Sequence, residues 1–130
     1  MRPLAALAVL AAVVAACFSE RAGPVELGDD LDCSLPLDSL VIGNPGVVVI
    51  RDFAFHPAEL RVPAGTRVTW VNCERESNGR AAHTSTADAG RWSSPLLAFQ
   101  ARYTTTLTEP GTFAYHCEPH PSMRGTVVVE

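Results

Sequence analysis

The chain has 130 residues and a formal net charge of −4, from 10 basic and 14 acidic side chains. That length suits one domain, and with no basic excess or basic helix nothing marks it for nucleic acid. Its four histidines and four cysteines are few enough to be considered one by one.

The opening segment, MRPLAALAVLAAVVAAC, reads as an export signal rather than as part of a fold. Arg2 gives it a positive start, residues 3–16 are an apolar run too short to span a bilayer, and small residues lead up to Cys17. VAAC at 14–17 resembles the lipobox of bacterial lipoproteins, which implies cleavage before Cys17 and acylation of that cysteine. Ordinary cleavage after Ala16, with Cys17 incidental, is the plainer alternative. Two or more acyl chains anchor a protein stably, which one does not. Residues 17–45 follow as a lipidated N-terminus and an acidic linker. Between 18 and 45 stand Glu20, Glu26, Asp29, Asp30, Asp32 and Asp38 against Arg21 alone, the composition of a solvated tether. If flexible, it reaches about 30 Å root-mean-square. Residues 46–130 balance eight acids with eight arginines.

The rest, 46–130, is the folded domain and reads as strands. VVVIRDF (47–53) is rich in β-branched residues, and AELRV (58–62) follows. Pro63-Ala64-Gly65 makes a turn. In TRVTWVNC (66–73), Val68 and Trp70 face one way and Thr69 and Val71 the other. AHTSTA (82–87) is a short strand candidate. FQARYTTTLT (99–108) and TFAYHC (112–117) flank Glu109-Pro110-Gly111, whose Pro-Gly pair suits a type II turn. GTVVVE (125–130) ends the chain. No stretch shows helical periodicity of useful length. Short strands between Pro/Gly turns indicate an all-β, mostly antiparallel sandwich or barrel of about seven to eight strands. Trp70, Phe53, Phe55, Phe113 and Tyr115 are expected to fill its core.

The cysteines sort by place. Cys17 belongs to the signal, and Cys117 lies in the stretch YHCEPHPSM (115–123). Cys33 and Cys73 remain, and in an exported protein they pair by elimination or stay as free thiols. Strand parity puts Phe113, Tyr115 and Cys117 on one inward face, with His116 pointing away. The chain then turns through Glu118 and Pro119, so His120 and Met123 can fold back onto Cys117. Pro119 and Pro121 restrict that loop before any metal arrives. A second histidine must come from elsewhere: His83, at the start of a short strand, is the candidate, and His56 is its competitor, read as exposed and inert.

His83, Cys117, His120 and Met123 make two imidazoles, a thiolate and a weak thioether, the donor set of a blue-copper electron-transfer site. Thiolate and thioether suit Cu(I), and imidazole suits both oxidation states. Structural zinc prefers four strong ligands and has no use for methionine. The bland reading is a buried cysteine, a core methionine and surface histidines. Cys-x2-His alone would be a weak signal, but Cys-x2-His-x2-Met at the end of an aromatic strand, after an upstream histidine, is specific.

On those residues the segment 46–130 resembles the cupredoxins, and its loop resembles the amicyanin and plastocyanin-like members. FAFHPAELRVPAGTRVTWVN (53–72), His83 and YHCEPHPSMRGTVVVE (115–130) carry the resemblance. It implies a Greek-key β-sandwich with one copper at one end, held by His83, Cys117, His120 and Met123. It implies also that the edge of His120 emerges through an apolar patch where electrons pass to redox partner proteins. Two features depart from the amicyanin pattern. Thr84 stands where Asn usually follows the first ligand histidine, and CERESNGRAA (73–82) is longer than in short-loop members. Trp92 reads as core or loop packing.

The function expected is a monomeric, membrane-tethered type 1 copper electron carrier at the outer face of a bacterial cytoplasmic membrane. Copper storage or delivery is the alternative. An oxidase or reductase needs further histidine clusters, which four histidines in all do not supply. A metal-free structural domain leaves Cys117, His120 and Met123 unexplained.

Overall fold

A computed structural model describes residues 31–74 and 81–130. The expected signal, Cys17, the first part of the acidic segment and most of the 73–82 loop lie outside the described residues. The chain order is α1 (Leu37–Ile42), β1 (Val47–Arg51), β2 (Ala54–His56), β3 (Glu59–Val62), β4 (Thr66–Asn72), β5 (Thr86–Ala87), β6 (Arg102–Leu107), β7 (Gly111–His116) and β8 (Arg124–Val129). One sheet has the order β2-β1-β4-β6 and the other β3-β8-β7-β5. The pairs β1·β4 and β3·β8 are parallel and the other four are antiparallel.

The two sheets face each other over one aromatic core. Val48, Ile50, Val68 and Trp70 enter it from the first sheet, and Tyr115, Val127 and Val129 from the second. Trp70, Trp92 and Tyr115 pack against one another with ring centroids 5.2–5.8 Å apart. Trp92 is core, as its place in the sequence suggested, and its indole N–H donates to Ser85 Oγ at 2.9 Å. Gly125 lies opposite Tyr115 in the β7–β8 register, and a Cβ there would stand 2.4 Å from the phenol. Glycine is therefore what lets Tyr115 cross β8.

The other face of the first sheet is also covered. Val47, Val49 and Val71 point away from the main core and pack with Leu40, Cys33 and Cys73. The end of the segment read as an acidic linker, through Cys33, Leu37, Leu40 and Val41, thus lies against the sheet. Cys33 and Cys73 are joined by a disulfide, Arg51 donates to the carbonyls of Cys33 and Leu35, and α1 lays Leu40 on the strands. Burying a leucine contributes roughly 2 kcal/mol. A six-residue helix has too little length to show a period, which is why no helix was expected there. β1 is thus a strand with both faces buried, consistent with its unbroken VVVI run.

Several local expectations change. β1 stops at Arg51, and Asp52 and Phe53 form a two-residue hairpin loop to β2 with φ of 54° and 53°. Both values are positive, as in a type I′ turn, where Asn-Gly is the usual choice. Phe53 is consequently 45% exposed and not a core residue. A bulky side chain in this conformation costs of order 1–3 kcal/mol. The type II geometry occurs at Pro63–Thr66, with Gly65 at φ 87° and Thr66 N–H bonded to Pro63 O. It does not occur at Pro110-Gly111, where Gly111 has φ 154°. Of 82–87 only Thr86–Ala87 is regular strand. The segment before it is held by an isolated bridge between His83 and Leu97.

Candidate metal centre

β1, β4 and β7 all run toward the same end of the sandwich, since β4 is parallel to β1 and the residues following each strand meet there. Cys117 follows β7 directly and is fully buried. The β7–β8 loop closes on itself through Met123 N–H to His120 O at 2.9 Å and Cys117 N–H to Met123 O at 3.1 Å. These two bonds return His120 to the cysteine and bury Met123 beside it, in the same core cluster. His83 reaches the point from the β4–β5 connection. Its bridge to Leu97 supplies both backbone bonds, at 3.1 and 2.8 Å, and its side chain is fully buried.

The outcome is a convergent donor set. His83 Nδ1 and His120 Nδ1 each lie 3.7 Å from Cys117 Sγ. The three donor atoms are all within 4.8 Å of one another. With metal bonds of about 2.3 Å to sulfur and about 2.0 Å to imidazole nitrogen, a trigonal angle puts those donors ~3.7 Å apart. Both sulfur–nitrogen distances therefore match trigonal donors around one metal. His56 and His116 are not part of it. His56 is half-buried in the edge strand β2 rather than exposed, with Nε2 3.1 Å from Arg51 O. His116 turns outward to Asp88, at 2.6 Å.

Of the neighbours that support these residues, only Thr84 stood out in the sequence. Thr84 N–H donates to Cys117 Sγ at 3.4 Å, and Thr84 Oγ1 accepts from Glu118 N–H at 2.8 Å. Threonine thus ties the His83 segment to the cysteine loop. Asn72 is fully buried: its Nδ2 donates to Ala81 O and Leu97 O, both at 2.8 Å, and its Oδ1 accepts from Glu74 N–H at 2.9 Å. Glu74, 7% exposed, in turn accepts the Phe53 N–H at 2.8 Å and stands 3.8 Å from His83 Nε2. Asn72 is visible in the sequence only as the last polar residue of an apolar strand, and Glu74 only as one charge in a polar loop.

Residues 47–130 match the copper binding proteins of the plastocyanin/azurin family. The chain belongs to that family. It is 35% identical to amicyanin from Paracoccus denitrificans over 124 residues, 93% of this chain and 92% of that protein. A solved Cu(I) form of an amicyanin variant superposes with a TM-score of 0.57 at 42% identity, over 65% of this chain and 80% of that one. A copper-containing nitrite reductase from Thermus scotoductus SA-01 gives a TM-score of 0.60 at 29% identity. The match covers 67% of this chain but 22% of the reductase, so the likeness is to one part of a larger protein. The metal of this family is copper, and the His83–Cys117–His120 cluster is where the chain offers donors for it.

Proposed function

We propose that the protein is a type 1 copper electron carrier, with His83, Cys117, His120 and Met123 as its ligands. The observation that carries this reading is the pair of imidazole Nδ1 atoms aimed at one buried thiol, each at 3.7 Å. When bound, copper supplies a one-electron couple. Cys117 and His83 hold their donors in a water-excluded pocket, since both are fully buried. The Thr84 N–H places a donor dipole on the sulfur, which stabilises negative charge there. The backbone bonds within the 117–123 loop return His120 to the other donors.

Electrons enter and leave at the end of the sandwich where His120 is only half-buried. Phe53, in ring contact with His120, is exposed there, and Leu96 and Phe99, close in sequence to the Leu97 that bridges His83, are exposed as well, apolar side chains suited to brief contact with redox partner proteins. Storage or delivery of copper needs ligands that a recipient can reach, and the burial of Cys117 and His83 argues against it. No substrate bonds change in this account, so the protein is not an enzyme. In the same proposal residues 1–16 are removed, and Cys17 carries the lipid that holds a monomer at the outer face of the cytoplasmic membrane. The segment up to the Cys33 attachment is the tether.

Voltammetry of the copper-loaded protein in the presence of a copper chelator tests the reading. A single reversible one-electron wave, kept over repeated cycles, is expected. Transfer of the copper to the chelator on each reduction would show a delivery protein instead.

A further inference from the structure

Phe53 occupies a conformation that its side chain disfavours. Its φ is 53°, next to Asp52 at 54°, in a turn where glycine and asparagine are the ordinary residues. The ring does not recover this by burial, being 45% exposed. Strain of this kind persists where surrounding structure enforces it, and it concentrates at functional sites. Here the enforcement is explicit. Phe53 N–H donates to Glu74 Oε2 at 2.8 Å, Glu74 N–H donates to Asn72 Oδ1, and the intervening Cys73 is bonded to Cys33. The ring so placed meets both imidazoles edge-on, with centroids 5.4 Å from His83 and 5.1 Å from His120, at interplanar angles of 84° and 89°. The two imidazoles are themselves 4.9 Å apart.

We infer that Phe53 is a positioning residue for the metal centre, a wedge that fixes the two imidazoles, His120 above all, in their binding orientation. His83 is fully buried and braced by its own backbone bridge. His120 sits between the exposed Pro119 and Pro121, so its ring depends on side chains from other elements. Phe53 reaches it from the β1–β2 hairpin, and Glu74 holds that hairpin in the strained form. Ordering a ligand before metal arrives lowers the reorganisation needed when the site changes charge. The inference rests on the ligand set proposed above.

The decisive variant is Phe53→Gly, which removes the ring and the strain together. In the metal-free full chain, the expected result is unchanged or higher stability to urea, while NMR shows the His120 imidazole averaging between rotamers. After copper loading, removal of Cu(I) by a large excess of bathocuproine disulfonate is expected to be at least ~10-fold faster than in wild type. Phe53→Tyr, which keeps the ring, should restore both His120 order and slow removal. The inference is overturned if Phe53→Gly leaves ring order and removal rate near wild type. It is equally overturned if the variant loses stability, because the ring is then ordinary packing. Absence of a blue spectrum in the wild type would refute the ligand assignment alone, since the metal-free NMR comparison does not depend on it.

Discussion

Replacing Asn72 with alanine should damage both the fold and the metal end. Three side-chain hydrogen bonds disappear, to Ala81 O, Leu97 O and Glu74 N–H, at 2.8, 2.8 and 2.9 Å. The losses are unequal. Leu97 O keeps the His83 N–H, so it stays satisfied, whereas Ala81 O and Glu74 N–H lose the partner described for them. A typical bond contributes about 1 kcal/mol net, and a buried group left unpaired costs roughly 1–3 kcal/mol. Asn72→Ala should therefore cost about 3–7 kcal/mol, a large share of the ~5–15 kcal/mol stability of an ordinary domain. Urea unfolding of the metal-free protein measures the loss, and hydrogen exchange at the Glu74 amide locates it. A loss under about 1 kcal/mol with Glu74 still protected would refute the reasoning.

Other consequences follow from the same structure. The Cys33–Cys73 bond spans a sequence separation of 40, so the double change to serine should lower stability by about 4 kcal/mol on the loop-entropy estimate; unchanged urea midpoints would contradict it. Gly125→Ala drives a methyl into the fully buried Tyr115 ring at 2.4 Å and should cost at least ~2 kcal/mol by thermal unfolding. Burial raises the Tyr115 phenol well above its usual 10.0. A group whose folded value is raised contributes stability that is complete below its unfolded value and declines above it. Stability should thus fall by up to ~1.4 kcal/mol per pH unit above pH about 10, and Tyr115→Phe should remove that component. An identical alkaline slope in the variant would count against it.

Some of this was legible in the residues and some was not. Cys117, His120 and Met123 could be read because they lie within one short loop, and strand parity alone turned Cys117 inward and His116 outward. His83 was reachable by elimination among four histidines. Asn72, Glu74 and Phe53 gain their roles only from contacts across the fold: Asn72 joins residues 9 and 25 positions away, and Phe53 bonds to Glu74 across 21. No local pattern encodes such pairings. Phe53 was expected in the core because an aromatic after VVVI looks like strand. The turn that exposes it is fixed by a carboxylate arriving from β4. Likewise α1 forms where a disulfide and a buried Leu40 hold it, not where propensity is high. Thr84 shows the reverse case, in which a residue that departs from the amicyanin pattern still ties the two loops by offering an oxygen at the right place.

Visible absorption and EPR of the copper-loaded protein test the central claim most directly. An intense blue thiolate–copper band with narrow copper hyperfine splitting is predicted, bleached by a mild reductant and restored by oxidant. It should vanish in His83→Ala and Cys117→Ala and survive in His56→Ala and His116→Ala. A colourless product with ordinary tetragonal copper parameters, or loss of the band in His56→Ala, would contradict the assignment.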